Sequence, residues 1–319
     1  GRDGDHGYSL QLDEKNNIYL SGNTLSGDFP VTTGAWQYEK SGHFDAYIAK
    51  FDPSGKLLWA TFFGGTQAEY VYDMKLDRWG NIVIGGWTWS SDMPVSKGAF
   101  QATFGGSIFT TDCFIAKFDN NGRWLWSTYY GSYSNEHINA IDVDRNGLIV
   151  VAGWTNSRNF VVSPNASQGT HGGVDDAFLA RFTQDGEFIW ATFFGSDSLD
   201  NATSVAYDKN GDIIMSGFTQ SNRLNISKDA YQKSSNGANE CFIVKYSPFG
   251  ELIASTYFGG KSHDYAEDIA INSKNEILIC GRTESDSLPF SEGNIQAQRK
   301  NKEDAFFAKF STNLKLIWG

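Results

Sequence analysis

One segment of this chain comes back five times. "DAYIAKFDPSGKLLWATFFG", from Asp45, recurs as "DCFIAKFDNNGRWLWSTYYG" from Asp112, "DAFLARFTQDGEFIWATFFG" from Asp176 and "ECFIVKYSPFGELIASTYFG" from Glu240. A fifth copy, "DAFFAKFSTNLKLIWG", opens at Asp304. The steps between copies are 67, 64, 64 and 64 residues. A fixed period of this kind, built on short strands, signals a propeller or a related array. A single unit cannot bury its apolar surface, whereas stacked units can.

Each copy holds two hairpins. In the first, two alternating runs flank turn formers such as "DPSG". Tyr47, Ala49 and Phe51 point one way; Leu58, Ala60 and Phe62 oppose Trp59, Thr61 and Phe63 across the next strand. Apolar groups on both faces of that strand predict a sheet covered on both sides. The second hairpin, "YVYDMKLDRWGNIVIGGWT" from Tyr70, recurs in all five units around turns such as "DRNG" and "DKNG", which tolerate positive φ. Each unit therefore carries strands A, B, C and D, with one long connector between B and C.

The expected fold is all-β: a β-propeller of four-stranded antiparallel blades, five repeats of about 64 residues, within one domain over 1–319. The blades fall near 1–65, 66–132, 133–196, 197–260 and 261–319. A five-bladed ring is favoured, with an open array or a share of a larger ring as the alternative. The last copy breaks off at "LKLIWG" where the others continue "ATFFGG", so the chain reads as a fragment of a longer multidomain protein.

Composition narrows the partners. A formal net charge of −11 disfavours nucleic acid and anionic membrane surfaces, which select basic faces. No apolar run approaches the ~18 residues that a membrane helix needs, so no direct membrane insertion is expected. Cys113, Cys241 and Cys280 make no disulfide framework, and the first two occupy a slot that is Ala in other copies. They read as small buried residues. Three glycosylation sequons, at Asn165, Asn201 and Asn225, read as chance matches.

The unit "DAFLARF…G…WATFFG…G.I…GWT…GAFQ" resembles the SBBP (β-propeller) repeat family of bacterial secreted and surface proteins, over essentially the whole chain. The resemblance implies a propeller, a secreted or cell-surface location at the bacterial envelope exterior, and neighbouring domains in the same polypeptide. It supplies no catalytic residues.

Positions shared by all copies point to the fold. Thr24, Thr88, Thr155, Thr219 and Thr283 close strand B, and Gln37, Gln101, Gln168, Gln232 and Gln296 sit in the connectors, where an amide can satisfy backbone groups. Lys50, Lys117, Arg181, Lys245 and Lys309 interrupt strand C; the expectation is a packed stem with the charge outside. Two acidic columns recur as well. Asp45, Asp112, Asp176, Glu240 and Asp304 begin strand C. Asp5, Glu69, Glu136, Asp200 and Asp264 precede strand A and would ring one mouth of a central channel. The plainer reading of these acids is that each accepts backbone N–H bonds from the next blade's loop. The sharper reading is a cation site, Ca²⁺ being the candidate, because crowded like charges recruit a counter-ion. "DVDRNG" at Asp142 opens like a calcium loop, but Gly153 stands where the bidentate acid belongs, which leaves a hairpin turn.

Function more often lies where copies differ. The residue between the recurring Gly and Thr of strand B is Asn23, Trp87, Trp154, Phe218 or Arg282, and Trp89 follows in one copy. The B–C connectors and D–A loops emerge at the same end of a meander, and all five histidines fall in them. Trp87, Trp89, Trp154, Phe218 and Arg282 are therefore the candidate binding residues, since loop aromatics suit sugar rings or protein partners. The leading expectation is a non-catalytic extracellular interaction or scaffold module, without a cofactor, that binds protein or glycan through its long-loop face. A propeller-type hydrolase or lyase is the alternative, although no unlike groups converge in the sequence. A ligand-free spacer in a large surface protein is another.

Overall fold

The structure, a computed structural model, describes residues 1–290, 296 and 299–319. Part of the last connector lies outside them. Among the described residues, twenty strands form five four-stranded antiparallel sheets, and in each sheet consecutive strands are hydrogen-bonded neighbours. The first blade is β1 (Asp5–Leu12), β2 (Ile18–Thr24), β3 (Asp45–Phe51) and β4 (Leu57–Phe63). The second is β5 (Glu69–Leu76), β6 (Ile82–Thr88), β7 (Asp112–Phe118) and β8 (Trp124–Tyr130). The third is β9 (Glu136–Val143), β10 (Ile149–Thr155), β11 (Asp176–Phe182) and β12 (Phe188–Phe194). The fourth is β13 (Asp200–Tyr207), β14 (Ile213–Thr219), β15 (Glu240–Tyr246) and β16 (Leu252–Phe258). The fifth is β17 (Asp264–Ile271), β18 (Ile277–Thr283), β19 (Asp304–Phe310) and β20 (Leu316–Trp318). The chain is thus all-β and of propeller-blade construction, with strands A to D where the repeat places them.

Two compact units make up the chain. One comprises Gly1–Val151, Asn159–Val161 and Arg181–Ile189; the other comprises Ala152–Arg158, Val162–Ala180 and Trp190–Gly319. Within the first unit, Ala46, Ile48 and Phe63 of the first blade pack against Val71, Met74, Ile84, Phe114 and Phe118 of the second. Within the second unit, Cys241, Ile243 and Phe258 of the fourth blade meet Ala266, Ile269, Ile279, Phe306 and Phe310 of the fifth. Strands with apolar groups on both faces follow from this blade-on-blade contact. Cys241 is buried in the second of these contacts, and Cys113 is likewise buried, both as free thiols.

The turns between strands C and D are covered from the preceding blade. Trp59 lies over Gly122 and donates its indole N–H to the Asn120 carbonyl at 3.1 Å. Trp126 does the same over Gly186, to Gln184 at 3.0 Å, and Trp190 over Gly250, to Pro248 at 3.0 Å. A Cβ on any of those glycines would collide with the indole, and each glycine has positive φ. The fourth blade has Ala254 in the tryptophan slot. The fifth blade's turn correspondingly carries Leu314, buried and at φ 54°.

The connector glutamines tie three segments together. Gln101 donates from Nε2 to Asp112 at 2.9 Å and to the Thr103 carbonyl at 2.9 Å, while its Oε1 accepts from Gly131 N–H at 2.9 Å. Gln37, Gln168 and Gln232 make the same bonds to Asp45, Asp176 and Glu240 and to Gly64, Gly195 and Gly259. This knot explains both the amide column and the acidic column at the start of strand C.

The basic column differs from expectation. Its charges turn in to acids of the turn between strands A and B. Lys117 Nζ is 3.0 Å from Asp77 Oδ2, Arg181 3.3 Å from Asp144, and Lys245 2.9 Å from both Asp208 and Asp212. Lys309 reaches Glu276 at 3.0 Å. A β-bulge beside Lys50, Lys117, Lys245 and Lys309 accompanies this inward placement.

Candidate interaction site

The acids expected ahead of strand A are its first residues, and they are engaged within their own blades rather than by the next blade's loop. Glu69 accepts from the Thr88 hydroxyl at 2.7 Å and from Gly65 N–H at 3.1 Å. Asp264 accepts from Thr283 at 2.5 Å, Ser285 at 2.9 Å and Gly260 N–H at 2.7 Å. Asp200 holds Thr219, Ser221 and Ser196 N–H, Glu136 takes Ser132 N–H at 2.8 Å, and Asp5 takes Thr24 at 2.5 Å. The backbone donors come from the acid's own preceding loop, and the hydroxyls from the end of strand B or the residues just after it. Burial pushes Glu69 up to about 7 and Asp200 up to about 6. Among the described residues no three His, Cys, Asp or Glu side chains are grouped to share a metal ion. With its oxygens directed at hydroxyls and amides, this column does not fit a calcium site.

The varying positions build a different arrangement. In the first unit, strand register sets Tyr70 directly opposite Trp87. Their rings stack with centroids 4.2 Å apart at 19°, and the other indole face takes His137 at 4.7 Å and 18°. Phe44 extends the run from Tyr70 at 5.1 Å, His43 stands edge-on to Phe44 at 5.1 Å, and Trp89 meets Trp87 edge-on at 4.8 Å. Each such contact adds about 0.5–1.5 kcal/mol beyond the area it buries. Trp87 is only 7% exposed and acts as the centre of this stack, whose exposed members are Trp89 and His43.

Burial pushes the His137 imidazole down to about 3. Because the folded value lies below the ordinary ~6.5, the neutral ring's contribution is complete above that pH and is lost as pH falls toward 3. At a pH of about 5 the loss is about 2 kcal/mol. His137→Phe should therefore lose less melting temperature than the parent between pH values of about 7 and 5. The buried acids, which titrate in the opposite sense, cancel in the comparison. Equal losses in both proteins would show that His137 is solvated and protonates normally.

In the second unit, Phe218 meets Tyr265 at 4.9 Å, and the Arg282 guanidinium lies 3.8 Å over the Tyr265 ring. Arg282 also pairs with Glu267 at 3.0 Å and Glu303 at 3.5 Å, so its charge is already met on both sides. Trp154 is half-buried at the end of β10.

Two residues missed by the sequence reading stand out. The connector of the second blade is the one that is three residues longer. Asp112 still holds Gly105 N–H at 2.7 Å, as Asp45 holds Ser41 N–H at 2.8 Å, but across seven residues instead of four. The additional length forms a turn in which Ser107 N–H donates to Thr110 Oγ1 at 2.6 Å and Thr110 N–H to the Ser107 carbonyl at 3.1 Å. At its tip Ile108 is 85% and Phe109 82% exposed. The connector is anchored below this turn by Thr111, whose N–H reaches Asn135 Oδ1 at 3.2 Å in the next loop, beside exposed Tyr133. The signal was present in the 67-residue step that breaks the period. Trp89, Ile108, Phe109 and Tyr133 all lie at the loop end of the first unit.

No protein-family model matches the chain. An uncharacterised WD repeat-containing protein of Acanthamoeba polyphaga mimivirus is 22% identical over 363 residues, covering 95% of this chain and 26% of the relative. The regulatory protein FlaEY of Caulobacter vibrioides is 22% identical over 226 residues, covering 67% of this chain and 23% of that protein. The chain thus spans about a quarter of the length of the curated relatives it matches. Among solved structures, a protein of unknown function from Bacteroides caccae aligns over 99% of this chain and 81% of its own, at 10% identity and a TM-score of 0.45. The WD40 β-propeller domain of Doa1 aligns over 86% and 75%, at 12% identity and a TM-score of 0.37.

Proposed function

We propose that this chain is a non-catalytic interaction module of the SBBP repeat type, carried outside the cell or on the bacterial envelope surface, that binds a protein or glycan partner through the loop end of its first unit. The observation that carries the reading is the Ile108–Phe109 tip, displayed by a braced turn in the one connector that is three residues longer than the others. Residues the fold requires recur in every copy, whereas this pair is added to one and faces solvent. Exposed Trp89 and Tyr133 at the same end supply the large, rigid rings that interaction surfaces favour. An apolar pair at a loop tip fits a pocket on a protein better than it fits a sugar.

Neutral His137 and salt-bridged Arg282 serve this reading as ring-stacking and ion-pairing groups, with no proton to exchange near neutral pH at His137. A random-peptide display library and a glycan array, each presented to the parent chain and to Phe109→Ser, test the proposal. Ligands recovered on the parent should weaken at least ~10-fold on the variant, the size of one buried aromatic anchor. Undiminished binding to Phe109→Ser, by peptides and glycans alike, would overturn the assignment to this end.

A further inference from the structure

The connector that carries the Ile108–Phe109 tip leaves one buried oxygen without a donor. In three other blades the acid that opens strand C has both carboxylate oxygens partnered, by the connector glutamine and by two consecutive backbone N–H groups. Ser41 and Gly42 donate to Asp45 at 2.8 and 2.7 Å, Gly172 and Gly173 to Asp176 at 2.9 and 3.1 Å, and Asn236 and Gly237 to Glu240 at 2.8 Å each. In the second blade Gln101 and Gly105 both donate to Asp112 Oδ2. Asp112 Oδ1 has no partner, although the residue is fully buried. Gly106 is the counterpart of Gly42, Gly173 and Gly237, but here it opens the added turn. Its N–H is close enough to favour the ionised acid and yet closes no hydrogen bond on Oδ1.

The surroundings supply no counter-charge. Lys40 favours the ionised form of Asp45 and His171 that of Asp176, whereas among the described residues no basic group does so for Asp112. Cys113 beside it feels the charges of both Asp112 and Glu136 of β9, and Tyr129 of β8 feels Asp112 together with Glu69 and Asp92. Thr88 of β6, directly opposite in the register, is neutral. A buried carboxylate oxygen with neither donor nor cation favours the protonated acid. Burial accordingly pushes the Asp112 carboxyl up to about 6.

We propose that Asp112 is a proton switch for the tip: protonated, it leaves the Ser107–Thr110 turn in place, and ionised, it draws Gly106 N–H onto Oδ1 and pulls that turn apart. The other blades show the closed clasp that the ionised acid would gain. Gly106 is packed against the brace of the turn, since a Cβ there would fall 2.4 Å from Thr110 Oγ1, the atom that accepts from Ser107 N–H. Thr111 is pinned to Asn135, so the strain of closing the clasp falls on residues 106–110. The effect on binding rests on the loop-end reading given above.

Isotope-labelled glycine and aspartate in the intact chain test the switch without a variant. Between pH values of about 4 and 8, the Asp112 carboxyl carbon and the Gly106 amide should shift together, with a common midpoint of about 6. Ligands selected on the parent at a pH of about 5 should bind about 10-fold more weakly at about 7.5. On Asp112→Asn, whose amide does not ionise, they should bind equally at both. A Gly106 amide that does not follow Asp112 overturns the inference. So does an Asp112 that ionises at the ordinary ~3.9, or an Asp112→Asn chain that keeps the parent's pH dependence of binding. The shared titration is read without a ligand, so it supports the switch even where Phe109→Ser leaves binding undiminished and the loop-end reading fails.

Discussion

Lys117→Met is expected to lower unfolding stability by about 3–5 kcal/mol, the cost of stranding one member of a buried ion pair. The side chains of Lys117 and Asp77 are 5% and 0% accessible, and their charged atoms lie 3.0 Å apart. Asp77 Oδ1 also accepts from Trp79 N–H at 3.0 Å and Asn81 N–H at 2.8 Å, which fixes the turn between β5 and β6. Methionine keeps the packing of the stem and removes only the ammonium. The carboxylate is then left in a dry site with its turn bonds but no counter-charge. Adding Asp77→Asn removes the stranded charge while preserving the turn acceptor, and should recover at least half of the loss. Urea unfolding of the parent, the two single variants and the double variant gives the coupling directly. A single-variant cost below ~1 kcal/mol would mean that the pair is solvated.

Trp126→Ala should cost a similar ~3–5 kcal/mol, the usual range for truncating a large buried aromatic. The indole covers the Gly186 turn and supplies a donor to the Gln184 carbonyl. The more telling variant is Gly186→Leu. In the parent it drives a side chain into the Trp126 ring, so it should destabilise strongly. In the Trp126→Ala background it should be tolerated better, because the joint between the fourth and fifth blades already combines Ala254 of the fourth with a buried Leu314 of the fifth at φ 54°. The positive φ still costs a β-carbon-bearing residue about 1–3 kcal/mol, so recovery is partial. Thermal unfolding of the four proteins decides it. If Gly186→Leu were equally harmful in both backgrounds, the Trp–turn contact would not be the source of its cost.

The repeat made most of the fold legible. Hairpins, connectors and the count of four strands per unit follow from alternation and turn residues, and the structure places them there. The Thr and Gln columns were also readable as structural, because a bond needed by every blade must recur in every blade. What a period does not reveal is which columns touch. Lys117 and Asp77 are forty residues apart on strands that are not sequence neighbours, so a basic residue in an apolar strand looked like an outward charge. The acids that open strand A show the same limit: their hydroxyl partners lie nineteen or more residues downstream, a pairing the period does not display. Trp87 shows a further limit. Alternation gives the direction of a side chain but not the ring of the next blade, here His137, that will cover it. Ile108 and Phe109 were overlooked because attention to what recurs passes over the single place where the spacing changes.

Residues that all copies share build the blades, and the addition to one copy is the proposed partner-binding element. Excising Ser107, Ile108 and Phe109 restores the 64-residue step and tests that division most directly. The account predicts an unchanged unfolding midpoint together with loss of the peptide or glycan ligands selected on the parent. A shortened chain that still binds those ligands, or one that no longer folds, would contradict it.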